Sequence, residues 1–156
     1  FSWFKHRHKS NMKLVLAGRQ AWKNDLFRQQ LASYKYREDV ILTGYLPQEQ
    51  LYGVMASAYA LVYPSIWEGF GLPVLEAMRS GVPVVTTGNS AMPEVAGDAA
   101  IYVDPEDHEG WGKAMGLLYK DEDFRSQCIR LGLARSRQFS WVESAALLHD
   151  IFKDMA

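Results

Sequence analysis

The sequence contains a single cysteine, Cys128, among 156 residues. One thiol cannot form an internal disulfide, so the chain is not a disulfide-stapled module, which agrees with a reducing, cytoplasmic compartment. Cys128 lies in a helix-like stretch with no catalytic motif around it, and we expect it to pack as a small apolar side chain. No apolar run approaches the roughly 20 residues that a membrane-spanning helix needs.

The chain also lacks a strong charge of either sign. Its formal net charge is −1, so no global basic excess points to nucleic acid. A local basic run at residues 5–9 is predicted to be a solvated helix end, and contact with an anionic membrane surface is the alternative interpretation. No metal-ligand spacing joins the histidines to carboxylates or to the cysteine. We therefore expect solvated side chains and no metal site at His6, His8, His108 and His149.

Short apolar runs alternate with longer amphipathic stretches along the chain, in a composition that is 48% hydrophobic and 22% charged. This composition and length indicate one globular domain. The runs at residues 13–17, 40–43, 60–63, 82–86 and 100–103 each predict a strand. They are not alternately polar, which favours burial on both faces of a parallel sheet.

Helices are predicted between the strands at residues 23–33, 48–57, 72–80, 108–119 and 121–138. A last helix begins after a Ser140 cap and runs to Lys153. Together these elements predict an α/β fold, a Rossmann-like doubly wound parallel sheet with helices on both faces. Ligands of such sheets bind at the carboxyl ends of the strands. The last helix carries one apolar stripe, Leu147, Leu148, Ile151, Phe152 and Met155.

The first residues are typical of the end of an amphipathic helix rather than of its start. Residues 1–4 have no cap and no preceding strand. We therefore expect that a first strand and most of a first helix are missing, and that the sheet shows a gap or an exposed edge. We also expect Leu148, Phe152 and Met155 to lack part of their cover.

The stretch from Glu68 to Glu76 combines features that suit an anionic ligand. Two glycines follow a predicted strand, which lets a backbone approach a ligand closely, and Pro73 suits the first turn of a helix. The start of a helix presents unpaired N–H groups and a positive dipole end, so it can bind phosphate. Taken alone, this spacing equally fits a plain turn with two exposed carboxylates.

The same stretch, Glu68-Gly-Phe-Gly-Leu-Pro-Val-Leu-Glu76, resembles the Glu-x7-Glu motif of the GT4-type retaining glycosyltransferases, which have the GT-B fold. Further similarity lies at residues 13–18, 40–47, 77–85, 92–100 and 103–105, so it covers nearly the whole chain. The resemblance implies that residues 1–156 form the C-terminal nucleotide-sugar-binding domain, without its first strand. It also implies that the N-terminal acceptor domain is absent.

Roles for individual residues follow from the resemblance alone. It implies that Glu76 binds the ribose hydroxyls and that Glu68, the candidate catalytic residue, contacts or positions the donor sugar. Backbone groups would bind the rest of the donor. Sugar hydroxyls would meet Gly69, Phe70 and Gly71; the diphosphate would meet N–H groups near Leu72 and Val74; and the base would lie near Gly44, Tyr45 and Leu46.

The resemblance implies transfer of a sugar from a nucleotide diphosphate donor to an acceptor with retention, with no cofactor and no required metal. The acceptor, a saccharide or lipid-linked saccharide, would bind mainly to the N-terminal domain, in the cytoplasm or at the inner face of the membrane. The family's Arg and Lys that neutralise the diphosphate would precede Phe1. Arg7 and Lys9 do not replace them. Arg19, at a strand end, is expected to be a surface residue, with a ligand contact as the alternative. This chain alone is expected to be inactive.

Two other classes of function stay open. One is a non-transferase enzyme of the same fold, such as a nucleotide-sugar epimerase or a phosphorylase, although no lysine that could hold pyridoxal phosphate lies in residues 68–76. The other is a non-catalytic nucleotide-binding domain, against which the intact Glu68 and Glu76 argue. Ser65 and Ser90 lack the pattern of a nucleophile elbow. The tryptophans are expected to pack, with Trp67 the exception because it adjoins Glu68.

Overall fold

The computed structural model describes residues 1–19 and 25–155, which form alternating parallel strands and helices. The strands are β1 (Leu14–Ala17), β2 (Val40–Gly44), β3 (Leu61–Tyr63), β4 (Val84–Thr86) and β5 (Ala100–Tyr102). The helices are α1 (Ser2–His8), α2 (Asp25–Ala32), α3 (Gln48–Ala56), α4 (Leu72–Arg79), α5 (Met92–Ala96), α6 (His108–Lys120), α7 (Glu122–Ser136) and α8 (Trp141–Asp154).

The predicted elements are confirmed, each within about two residues of its expected bounds. The start of the predicted helix at residues 23–33 and Trp22 lie outside the described residues. Ser140 is the N-cap of α8 as expected, and its hydroxyl accepts a hydrogen bond from the N–H of Glu143 at 3.4 Å. The single turn of α5 was not predicted, because five residues that include Pro93 are too short to show a helical period.

All strand pairs are parallel, but the described strands form two hydrogen-bonded ladders. β1 pairs with β2, and β4 lies between β3 and β5. No ladder joins the two groups within the described residues, in line with the expected gap in the sheet. Because the strands are parallel, the loops that follow β3 and β4 lie at the same edge of the three-stranded sheet.

β4 shows why the fold is doubly wound. Its three residues are all buried, and neighbouring side chains point to opposite faces. Val84 belongs to a core formed with α4 and α5, whereas Val85 belongs to a second core formed with α6 and α7. Cys128 packs in this second core, as expected, and burial raises the pKa of its thiol.

The expectation that every strand is buried on both faces is wrong for β1 and β2. Val15, Leu16, Ile41 and Leu42 are between 37% and 46% exposed. The reason is that α2 and α3, the helices that follow these strands, bury none of their described side chains. The stripe on α8 is also uncovered, as expected: Leu148, Phe152 and Met155 are exposed, and no described residue of α8 is buried.

The basic run at residues 5–9 is not simply a solvated helix end. The side chain of Lys5 is buried, and its Nζ lies 2.7 Å from a carboxylate oxygen of Asp39. Lys5 also donates to the backbone carbonyls of Ser10 and Met12. The expectation of a solvated run is therefore wrong for Lys5, because the tertiary structure brings the helix end close to Asp39, where the buried ammonium is paired.

His8 is a second correction, because it is not a solvated histidine. Its Nε2 is buried without a hydrogen-bond partner among the described residues. The imidazole packs against α6 where Gly116 leaves room, since a Cβ at residue 116 would force the His8 ring to shift. Burial accordingly lowers the pKa of His8, with smaller contributions from Lys120 and Arg7.

None of the helices in residues 1–19 and 25–155 is both long enough and apolar enough to cross a bilayer.

Candidate functional site

The loop between β3 and α4 holds the Glu68 carboxylate through one of its two oxygens. The Oε1 atom accepts hydrogen bonds from the hydroxyls of Tyr63 at 2.6 Å and Ser65 at 2.7 Å. These bonds favour the ionised form, first that from Tyr63 and then that from Ser65, and lower the pKa of Glu68. No described residue donates to Oε2. Glu68 is therefore an ionised carboxylate with one anchored and one open oxygen.

Tyr63 is suited to act as a permanent hydrogen-bond donor to Glu68. Burial, with a smaller effect from the neighbouring carboxylate, raises the pKa of Tyr63 to about 12. Its hydroxyl therefore stays protonated throughout the physiological range. No sequence pattern identifies this partner, because Tyr63 ends an ordinary half-buried strand and no spacing rule relates it to Glu68.

The last residue of β4 and residues that follow it support the backbone of the same loop. The hydroxyl of Thr86 donates to the carbonyl of Tyr63 at 2.9 Å, and that of Thr87 donates to the carbonyl of Ser65 at 2.6 Å. The N–H of Glu68 donates to the Ser90 hydroxyl at 2.9 Å, and the same hydroxyl donates to the Glu68 carbonyl. The loop after β3 is therefore held from the loop after β4.

Gly71 ends the loop and is the N-cap of α4. Its φ is +96°, in the left-handed region that favours glycine. A Cβ at this position would also lie 2.3 Å from the Cε of Met92. Gly69, by contrast, has open space around it, and the ring of Phe70 meets the ring of Phe139 edge-on at 5.9 Å.

The N-terminus of α4 offers one open backbone donor. The N–H of Val74 already donates to the Gly71 carbonyl at 3.0 Å, and Pro73 has none. The N–H of Leu72 has no partner among the described residues. Of the two N–H groups that the resemblance implies for the diphosphate, only that of Leu72 is available in this conformation.

Packing and capping fix the direction of α4. Val74, Leu75, Ala77 and Met78 are buried, so one side of the helix is set against the core. Its other end closes with a Schellman motif around Gly81 (φ +70°), in which residues 81 and 82 donate to the carbonyls of residues 78 and 77.

Glu76 lies one turn into α4, half-buried and at the margin of this packed face. No described residue donates a hydrogen bond to its carboxylate. Burial therefore raises the pKa of Glu76, whereas the hydrogen bonds described above lower that of Glu68. An unpaired carboxylate in a partly desolvated position gains most from a ligand that supplies hydroxyl donors.

The third predicted segment, the loop after β2, lies at the end of the two-stranded ladder. Gly44 has φ +67° and its carbonyl accepts from the N–H of Gly18 at 3.0 Å. Tyr45 is exposed, and the guanidinium of Arg19 lies 4.9 Å from its ring centroid. Arg19 is an exposed surface residue, as expected, and its guanidinium stacks on the Tyr45 ring. Within the described part of the chain, no hydrogen bond or ring contact joins Gly44, Tyr45 and Leu46 to residues 68–76.

In residues 1–19 and 25–155, no three His, Cys, Asp or Glu side chains come together as a group that could hold a metal ion. Trp67, next to Glu68, is 82% exposed.

The order of these elements matches a known family along most of the chain. A family model described as glycosyl transferases group 1 matches residues 1–134. The chain belongs to this family. It is 42% identical over 129 residues to O-antigen chain mannosyltransferase B of Escherichia coli, a match that covers 82% of this chain and 34% of that protein.

A second relative is D-inositol 3-phosphate glycosyltransferase of Corynebacterium jeikeium (strain K411), 35% identical over 111 residues, or 70% of this chain and 26% of that protein. The chain therefore spans between about a quarter and a third of the length of these relatives. Among solved structures, Anabaena Alr3699/HepE in complex with UDP superposes with a TM-score of 0.81 at 18% identity, covering 92% of this chain and 41% of that one. That likeness shows the fold, one of GT-B glycosyltransferase type.

Proposed function

We propose that this chain is the donor-binding half of a retaining hexosyltransferase, which moves a sugar from a nucleoside diphosphate sugar to an acceptor. The observation that carries the proposal is that one carboxylate, Glu68, precedes the start of α4 and another, Glu76, lies one turn into it, while the Leu72 N–H between them is open. Family membership supports sugar transfer. The names of the two relatives, a mannosyltransferase of the O-antigen chain and an inositol-phosphate glycosyltransferase, support a role in glycan or glycoconjugate synthesis.

Glu76 is proposed to bind the ribose of the nucleotide. Its carboxylate has no hydrogen-bond partner among the described residues, so two vicinal hydroxyls can donate to it. Hydrogen bonds to a charged acceptor contribute about 1.5–3 kcal/mol each. The HepE structure was solved with UDP, which supports a nucleotide as a ligand of this fold.

Glu68 is proposed to contact the donor sugar. Because Tyr63 and Ser65 donate to its Oε1, the Oε2 atom is left open to accept hydrogen bonds from a ligand. An ionised carboxylate placed there can accept from a sugar hydroxyl and favour positive charge that develops on the ring. The backbone at Gly69, Phe70 and Gly71 is proposed to complete the sugar contacts.

The diphosphate is proposed to bind at the start of α4. The Leu72 N–H and the positive end of the helix dipole favour negative charge there. We propose that no metal is needed, because a basic pair in residues preceding Phe1 neutralises the leaving diphosphate. A strand preceding Phe1 would also fill the break between the two ladders.

The base and the acceptor are proposed to bind at two further places. The loop of Gly44, Tyr45 and Leu46 is proposed to lie near the base, with the Tyr45 ring held by Arg19. A saccharide or lipid-linked acceptor is proposed to bind mainly to an N-terminal domain, which would also cover the apolar stripe of α8. We propose a cytoplasmic location, with contact at the inner face of the membrane.

The test uses the full-length protein with a panel of UDP- and GDP-linked hexoses. Release of the nucleoside diphosphate measures donor cleavage, and NMR of the product gives its anomeric configuration. Turnover should fall strongly in Glu68→Gln and Glu76→Gln, and should not change in Glu106→Gln, an exposed control on the turn before α6. Unchanged turnover in both site variants, or an inverted product, would contradict the proposal.

A further inference from the structure

Ser90 makes a double contact with the main chain of Glu68, 22 residues away in the sequence. Its hydroxyl oxygen accepts from the Glu68 N–H at 2.9 Å and its hydroxyl proton is donated to the Glu68 carbonyl. One side chain therefore satisfies both backbone groups of the residue proposed to contact the donor sugar. Nothing in the sequence pattern singles out Ser90 for this task.

The backbone of Ser90 is itself held in an uncommon conformation. Its φ is +58°, in the left-handed region, and apart from Lys9 it is the only described non-glycine residue with a positive φ. A non-glycine residue there has a conformational cost that the surrounding structure must offset. In this loop the left-handed conformation of Ser90 accompanies the contact of its hydroxyl with the main chain of Glu68.

The contact belongs to a wider support of the loop after β3. Thr87 donates to the carbonyl of Ser65, and Met92 packs where Gly71 leaves space. Residues 87–92 thus hold the loop before, at and after Glu68. Of these contacts, only the one from Ser90 acts on the main chain of Glu68 itself.

We infer that Ser90 is a positioning residue that acts through Glu68, an inference that rests on the proposed function. The carboxylate is anchored at Oε1 by Tyr63 and Ser65, and the main chain is anchored by Ser90. With both ends of the side chain fixed, the open Oε2 keeps one direction. Without the Ser90 hydroxyl, the N–H and carbonyl of Glu68 hydrogen-bond to water instead, and the carboxylate loses its defined position relative to a bound sugar.

Two substitutions at Ser90 separate positioning from stability. Ser90→Gly removes the hydroxyl, but glycine adopts φ +58° without steric cost, so the melting temperature should be kept or raised. Turnover of the full-length enzyme with UDP- and GDP-linked hexoses should fall by on the order of 10- to 100-fold, since small misplacements at a reacting centre have effects of this size. The fall should appear in kcat, with the donor KM little changed.

Ser90→Thr should behave in the opposite way. It keeps the hydroxyl, so most of the turnover should remain, while a β-branched side chain at positive φ lowers the melting temperature. Ser57→Gly is the matched control, because it removes an exposed hydroxyl that donates to the Gly53 carbonyl at 2.8 Å, far along the chain from the site. Turnover that follows the melting temperature across these variants would overturn the inference.

A double-mutant cycle tests whether the effect passes through Glu68. In a Glu68→Ala background, Ser90→Gly should have no further effect on turnover, because the positioned group is gone. An equal fold-reduction in both backgrounds would overturn the positioning role while leaving the proposed function intact. If Glu68→Ala itself has wild-type turnover, or the wild type cleaves no donor of the panel, the proposed function fails, and the inference fails with it.

Discussion

Replacing Glu76 by glutamine is expected to change stability and ligand affinity in opposite directions. Burial raises the pKa of Glu76, and no described residue donates to its carboxylate. In the folded protein the ionised form is therefore disfavoured relative to the unfolded chain. Glutamine has the same shape without the charge, so Glu76→Gln should raise the melting temperature at neutral pH.

The same substitution should weaken nucleotide binding. A hydrogen bond to a charged acceptor is roughly twice as strong as one to a neutral acceptor, a difference of about 1 kcal/mol per bond. For the two ribose hydroxyls this amounts to about 2 kcal/mol, or about 30-fold in Kd. Glu76→Ala removes both bonds and should cost at least about 3 kcal/mol, more than about 100-fold.

The pH dependence has a definite sign. A carboxyl group whose pKa is raised on folding opposes folding when it is ionised, and this penalty disappears as the pH falls through the folded-state pKa. The stability advantage of Glu76→Gln should therefore be largest near neutral pH and vanish in acid. Nucleotide affinity of the wild type should fall over the same range as Glu76 is protonated, and that acid limb should be absent in the variant.

Calorimetry with UDP and GDP, together with thermal unfolding of the full-length protein, measures both quantities. Glu106→Gln is the control for a general effect of removing a carboxylate, since Glu106 is exposed. A lower melting temperature for Glu76→Gln would show that an unnoticed partner stabilises the carboxylate. Unchanged affinity in both Glu76 variants would refute the ribose role.

Three further outcomes are expected. Gly71→Ala should lower the free energy of unfolding by about 1–3 kcal/mol in urea titrations, because φ is +96° and the added Cβ would displace the end of the Met92 side chain. Gly69→Ala, whose added Cβ meets open space, should change the free energy of unfolding little, and equal effects of the two substitutions would contradict this explanation. Tyr63→Phe should raise the pKa of Glu68, so the acid limb of the pH–turnover profile should move to higher pH; an unmoved limb would exclude this hydrogen bond as the cause. Turnover of the full-length enzyme should survive EDTA, and loss on chelation with recovery on adding Mn²⁺ would refute the metal-free proposal.

The fold class and the start of α4 could be predicted from the sequence because they depend on local patterns. Unbroken apolar runs predict the strands. Ser140 predicts the start of α8, because its hydroxyl accepts a hydrogen bond from a residue only three positions further along the chain. Gly71 and Pro73 likewise mark the start of α4, since their effects on the backbone are intrinsic to each residue. The resemblance to a glycosyltransferase motif rests on the same contiguous stretch and is confirmed at the level of the family.

Only the tertiary structure determines the hydrogen-bond partners and the burial of these side chains. The contacts of Glu68 with Tyr63 and Ser90 depend on how the loops after β3 and β4 lie beside each other, and no periodicity in the sequence predicts that arrangement. The two carboxylates of the motif have the same chemistry in the sequence, yet hydrogen bonds lower the pKa of one and burial raises that of the other. The inward turn of Lys5 toward Asp39 and the exposed faces of β1 and β2 have the same origin. Burial and pairing are properties of neighbours brought together by the fold, and a residue type alone does not contain them.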